Sequence, residues 1–213
     1  MASTSTARLI AMLTAIATAI EADKGRLCEL DGIIGDADHG IAMSNGFNAV
    51  RDAVAALDPV ATDPTLLLNT AAKSFLNAVG ASSGPLYATA LMRAAAAVKG
   101  KTELSDQDLS AIVQAMAKGI QDRGKAEIGE KTMIDAWAPA AKALADNDAA
   151  GGTLEAGLDA AVKAAQAGAE ATKQMIAKKG RSVNLGERSI GNMDPGAASA
   201  VVIIETLRAS LTA

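Results

Sequence analysis

An all-α domain, an antiparallel up-and-down array of eight helices, is the fold class that this sequence predicts. Three observations carry the prediction. Half of the 213 residues are hydrophobic, yet alanine leads them and only Phe47, Phe75, Tyr87 and Trp137 are aromatic, a composition that suits close-packed helices and not sheets. Apolar residues recur three and four apart over long stretches. Short breaks rich in Gly, Asp-Pro and Ser separate those stretches at the places where helices start and stop. No long Pro/Gly/Ser-rich linker and no repeat divides the chain, so residues 1–213 are read as one domain.

The first helix is expected from Ser5 to Lys24, on the stripe Leu9, Leu13, Ile16 and Ile20, with Gly25 at its end. After the loop Asp31 to Gly40, a second helix runs from His39 to Leu57 and stops before Asp58-Pro59. Asp63-Pro64, an N-cap followed by proline, opens a third helix that reaches Val79. The small-residue loop Gly80 to Pro85 leads to a fourth helix ending at Lys99-Gly100. Ser105 and Asp108 have the spacing of a capping box for a fifth helix, and Thr132 and Asp135 the same for a sixth, which carries Trp137 and Pro139. A seventh helix is expected from Leu154 to Lys179, and Asp194-Pro195-Gly196 opens an eighth with Val201, Ile204, Leu207 and Leu211 inward. Tyr87 and Trp137 are read as core residues, and Cys28 as a small apolar residue at a helix end.

The formal net charge of −4, with no basic face, gives no footprint for nucleic acid. One cysteine excludes an internal disulfide and fits a reducing compartment. Met1 to Arg8 lacks the pattern of a secretion signal, and no apolar stretch is read as long enough to cross a membrane, so a cytoplasmic protein is expected.

Antiparallel neighbours with short connections place alternate loops at the same end. The loops after helices one, three, five and seven are the ones with unusual chemistry: Asp31 to Gly40, Gly80 to Pro85, Gly124 to Thr132, and Gly180 to Gly196. Each delivers a helix amino terminus, with its free N–H groups and positive dipole end, to that shared end. Carboxylates beside four such termini call for cations between them, and magnesium carrying a polyphosphate meets the need. Read without that setting, Asp38 could simply cap the next helix and Asp36 be solvated. Arg181 and Arg188, in a glycine-punctuated loop, are read as phosphate contacts, whereas Lys178 and Lys179 are read as compensating a helix carboxyl end.

Four motifs, Gly35-Asp-Ala-Asp-His-Gly40, Ala81-Ser-Ser-Gly-Pro-Leu-Tyr87, Gly129-Glu-Lys-Thr-Met-Ile-Asp135 and the segment Gly180 to Gly196, together resemble the nucleotide-binding L subunit or domain of dihydroxyacetone kinases along essentially the whole chain. The resemblance implies an eight-helix antiparallel barrel with Mg-ADP or Mg-ATP at one end, held through two Mg2+ ions. It implies metal ligands at Asp31, Asp36 and Asp38, and nucleotide contacts at His39, Gly40, Ile41, Ser82, Ser83, Gly124, Met133, Arg181, Asp194, Pro195 and Gly196. Arg181 would assist phosphoryl transfer catalytically, and Ala42 stands where the family often has asparagine. It further implies a phosphotransferase that works only with a separate K-type subunit, which holds the ketose covalently and supplies the base, and, where the donor is tightly held ADP, with a phosphocarrier of the phosphotransferase system. Exchangeable ATP and tightly held ADP remain open as donors, as do a kinase for another ketose or an acyl group and a nucleotide-loaded binding protein without turnover.

Overall fold

The computed structural model describes residues 5–212, and Met1 to Thr4 of the amino-terminal stretch lie outside the described residues. Eight α-helices appear among them: α1 (Ser5–Ile34), α2 (His39–Ala55), α3 (Pro64–Ala78), α4 (Ser83–Ala97), α5 (Asp106–Gly124), α6 (Ile134–Ala149), α7 (Leu154–Ala171) and α8 (Pro195–Leu211). No strand occurs among the described residues. Each helix packs on its neighbours in sequence, and α8 returns to α1, which closes the antiparallel array into a ring. The loops after α1, α3, α5 and α7 meet at one end, as the odd-even argument expects.

The ring is filled by aliphatic side chains and by one aromatic chain. Phe47 and Phe75 lie 5.0 Å apart between ring centroids, Phe75 and Tyr87 5.5 Å, and Tyr87 and Trp137 6.5 Å. All four rings are buried, so Tyr87 and Trp137 are core residues. Where aromatic residues are scarce, close approach of backbones supplies the packing. A Cβ on Gly40 would stand 2.1 Å from the Lys24 carbonyl oxygen, so only glycine lets the start of α2 lie against α1. Pro139 leaves the carbonyl of Asp135 without its intrahelical donor, yet α6 continues through it. Gly168 of α7 packs against that carbonyl, where a Cβ would come within 1.8 Å.

Several caps are as expected. Asp63 accepts the Leu66 N–H at 2.8 Å with Pro64 behind it, and Asp194 accepts the Ala197 N–H at 2.7 Å ahead of Pro195. Ser105 and Asp108 form the reciprocal capping box of α5. The second box is only half present. Asp135 accepts the Thr132 N–H at 2.7 Å, but Thr132 Oγ1 accepts from Ile134 at 3.2 Å, and Met133 is the residue at the helix boundary.

Other expectations need correction. The first helix does not end at Gly25 but runs to Ile34, because Leu27, Asp31 and Ile34 continue its buried stripe. Cys28 is consequently interior to α1, not at its end, and packs against Gly40. At this length α1 does have the span and composition to cross a membrane, contrary to the sequence reading. Its apolar stripe from Leu9 to Leu27 is committed to the core of the ring. The seventh helix stops at Ala171, eight residues before Lys179. A 3-10 turn, Thr172–Gln174, follows it, and the carbonyls there are drawn elsewhere: that of Thr172 accepts the Lys131 ammonium, and that of Lys173 accepts the Gly191 N–H at 2.7 Å. Lys178 and Lys179 therefore do not sit on a helix end. The Lys178 N–H donates to the Glu130 carbonyl at 3.1 Å, and Lys179 faces the Glu130 carboxylate. The segment that follows, Arg181–Ser189, is wound in 3-10 turns broken at Gly186. Val201 is only half-buried, while Ile204, Leu207 and Leu211 point inward.

Candidate functional site

The four loops enclose one open cavity of about 730 Å³ at their shared end, the size of a small-molecule site. Asp31, at the end of α1, is 8% exposed, and its Oδ2 accepts the backbone N–H groups of Asp38 at 2.9 Å and His39 at 3.1 Å. It, and not Asp38, caps α2. Asp38 stands at the N-cap position without any side-chain capping bond, so its carboxylate is left for other work. Ala37 between Asp36 and Asp38 has a φ of +64°, a left-handed turn that costs about 1 kcal/mol outside glycine. That turn brings one ligand atom from each of Asp31, Asp36 and Asp38 within 4.8 Å of one another.

Three carboxylates so close repel. Burial first, then the charges of Asp36 and Asp31, push the Asp38 carboxyl above its ordinary value. The all-oxygen donor set fits a hard divalent cation such as Mg2+. Arg181, arriving from the last loop 145 residues later, forms an ion pair with Asp36.

His39 lines the cavity and is held from behind. Its Nε2 lies 2.9 Å from Ser199 Oγ on α8, while Ser199 Oγ donates to the Gly196 carbonyl at 3.0 Å. Burial lowers the imidazole below its ordinary value, so the ring is neutral at neutral pH. The same Ser199 hydroxyl also meets the Tyr87 hydroxyl, which burial pushes up to about 12. Asp194, the N-cap of α8, also lines the cavity. Burial raises its carboxyl to about 7, against the opposing pull of its Ala197 N–H bond and the Lys131 charge.

Of the residues singled out in sequence, Ser82, Ser83, Gly124, Met133, Arg181, Asp194, Pro195 and Gly196 line the cavity with Asp31, Asp36, Asp38 and His39. Gly40 and Ile41 do not. Gly40 is sealed in the α1–α2 contact, and the Ile41 side chain is 51% exposed. Ala42 lines the wall, but its N–H is spent on the Asp38 carbonyl at 2.9 Å, so its backbone donor is committed within the helix. Arg188, beyond the break at Gly186, is exposed and outside the lining. Helix starts differ too. The amides of α2 and α8 are met by Asp31 and Asp194, whereas Ser82 at the start of α4 makes no side-chain capping bond. Leu86, Ile120, Arg123 and Lys131, to which the sequence assigns no site role, line the cavity as well. Lys131 had a signal: a lysine directly before the Thr132/Asp135 pair in a glycine-flanked loop of an acidic chain.

Fold and site together define an all-helical ring with three converged carboxylates and an arginine at its open end. The chain belongs to the DAK2-domain family, whose model matches residues 33–209. It is 41% identical over 192 residues to the ADP-binding subunit DhaL of PEP-dependent dihydroxyacetone kinase 2 of Listeria innocua, covering 90% of this chain and 88% of that one. It is 36% identical over 205 residues to the DhaL subunit of the PEP-dependent dihydroxyacetone kinase of Escherichia coli, covering 96% and 97%. Among solved structures, the dihydroxyacetone kinase of C. freundii in complex with AMP-PNP and Mg2+ superposes with a TM-score of 0.73. The match covers 94% of this chain and 33% of that one, and at 24% identity it speaks for the shared fold.

Proposed function

We propose that this chain is the ADP-binding, L-type subunit of a phosphoenolpyruvate-dependent dihydroxyacetone kinase, a cytoplasmic phosphotransferase. The observation that carries the reading is the convergence of Asp31, Asp36 and Asp38 with Arg181 at the mouth of a cavity lined by the α4 helix start. Relatives that match over nearly their whole length carry the same designation.

In this reading the three aspartates hold Mg2+, as two ions, which supplies charge neutralisation between carboxylates and phosphates. The α4 start offers its amides with Ser82 and Ser83 to the phosphates, and the apolar wall of Leu86, Ile120 and Met133 takes the base. Arg181 exchanges Asp36 for a phosphoryl oxygen and steadies charge during transfer. His39, neutral and fixed by Ser199, orients the nucleotide without adding charge. The chain's single histidine is held by Ser199 and is read as facing the nucleotide, not a ketose. A K-type partner therefore brings the ketose and the base, and a phosphocarrier rephosphorylates ADP in place.

Purification followed by release of bound nucleotide tests the donor. ADP is expected to copurify and to turn over when a K-type subunit, dihydroxyacetone and a phosphoenolpyruvate-driven phosphocarrier system are supplied. Activity with free ATP alone, and no retained ADP, would overturn the phosphoenolpyruvate assignment. No triose phosphate under either regime would overturn the kinase reading.

A further inference from the structure

We propose that Lys131 is a positioning residue of the cavity, whose ammonium ties together the two ends of the last loop so that Arg181 and Asp194 face the aspartate cluster. Lys131 is 1% exposed and has a φ of +60°; the exposed Lys125 shares the left-handed backbone, so it is the burial of the ammonium that sets Lys131 apart. Its Nζ donates to the Thr172 carbonyl at 2.6 Å and to the Asn192 carbonyl. Those carbonyls belong to the end of α7 and to the residue two before Asp194, and Arg181 lies between them. Thr172 is gripped through its second oxygen as well, since Oγ1 accepts the Asp194 N–H at 3.0 Å. The neighbouring Glu130 carbonyl takes the Lys178 N–H. Asp194 and Asp135 act on the ammonium through space, but its hydrogen bonds go to backbone oxygens. Two of its three N–H donors are spent on carbonyls from the two ends of the loop, which fixes the path of the chain between them. Segment 129–135 is thereby the anchor of the last loop, and the cavity wall at residues 179–182 and 194–196 depends on it. The inference rests on the nucleotide reading of the cavity.

The full chain carrying Lys131→Met, which keeps the stem and removes the charge, tests it beside Ser110→Ala, which loosens the α5–α6 link to Asp148 far from the cavity. Lys131→Met is expected to keep its helical content, to bind Mg-ADP at least tenfold more weakly, and to speed amide exchange over residues 175–192 tenfold while α1 to α4 stay protected. Lys131→Arg, restoring a cation, is expected to recover part of the affinity, and Ser110→Ala to change neither readout. Unchanged loop exchange in Lys131→Met, or equal losses in Ser110→Ala, would overturn the proposal. NMR of the wild-type ammonium needs no variant. Slow proton exchange and couplings from Nζ to the Thr172 and Asn192 carbonyls, kept when Mg-ADP is added, are expected, and their loss on binding would refute the anchor. If wild type binds no Mg-ADP, the nucleotide reading fails, while loop exchange and ammonium couplings still judge the anchor.

Discussion

Ser199 Oγ lies 2.9 Å from His39 Nε2 and donates its own proton to the Gly196 carbonyl. A hydroxyl with its proton so committed accepts from the imidazole, which puts the ring proton on Nε2 and leaves Nδ1 as the unprotonated nitrogen. Ser199→Ala should therefore weaken Mg-ADP binding about fivefold, the loss of one hydrogen bond worth about 1 kcal/mol. Calorimetric titration measures the affinity, and imidazole nitrogen shifts report the tautomer. Wild-type values of both in the variant would show that Ser199 does not hold the ring.

Asp36 belongs to the three-carboxylate cluster and pairs with Arg181. Asp36→Ala should abolish the magnesium dependence of ADP binding, whereas Arg181→Ala should keep that dependence and lower turnover by about a hundredfold or more, as for charge-stabilising groups in transfer. Titrations with and without Mg2+, joined to rates with the K-type partner, separate the two. An unchanged magnesium dependence in Asp36→Ala would falsify the metal assignment.

The carboxyl of Asp194, raised to about 7 by burial, makes stability depend on pH. The folded state holds that proton when the unfolded chain, with an ordinary carboxyl near 3.8, has lost it. Its contribution to stability is complete below about pH 4 and is lost as pH rises to about 7. His39, lowered by burial, acts in the opposite direction below pH 6.5. Asp194→Asn, which retains a good N-cap, cancels only the first effect. In EDTA, the melting temperature of the variant minus that of wild type should be near zero at pH 4 and rise to a plateau above pH 7. A difference that is flat with pH would count against the raised carboxyl.

The capping box at the start of α5 is far from the aspartates in sequence and lines no part of the cavity. Ser105→Ala should cost about 1 kcal/mol in denaturant unfolding and leave Mg-ADP affinity within twofold of wild type. An affinity loss comparable to that of Ser199→Ala would mean that global stability, not local contact, sets binding.

Helix number and order were legible because α3, α5 and α8 announce their starts through side chains that bond to their own first turn: Asp63, Ser105 and Asp194. Helix ends were less so. Gly25 does not stop α1, because Leu27 and Ile34 still find the core, and α7 does not reach Lys179, because Lys131 and Gly191 take the Thr172 and Lys173 carbonyls just past its end. Both outcomes depend on partners remote in sequence.

The aspartates, His39 and Arg181 were readable from their clustering and from the alternation of loops, a consequence of antiparallel helices with short connections. What each group does there was decided only by tertiary structure. That Asp31 caps α2 and frees Asp38, that Gly40 seals a helix contact, that Ser199 orients His39, and that Lys131 ties Thr172 to Asn192 are contacts between different helices and loops. The sequence by itself determined which residues could meet at one end of an eight-helix ring. The packing of α1 on α2, and of the last loop on the segment before α6, decided which donors and acceptors are spent and which face the cavity, because each buried polar group bonds to whatever folding brings beside it.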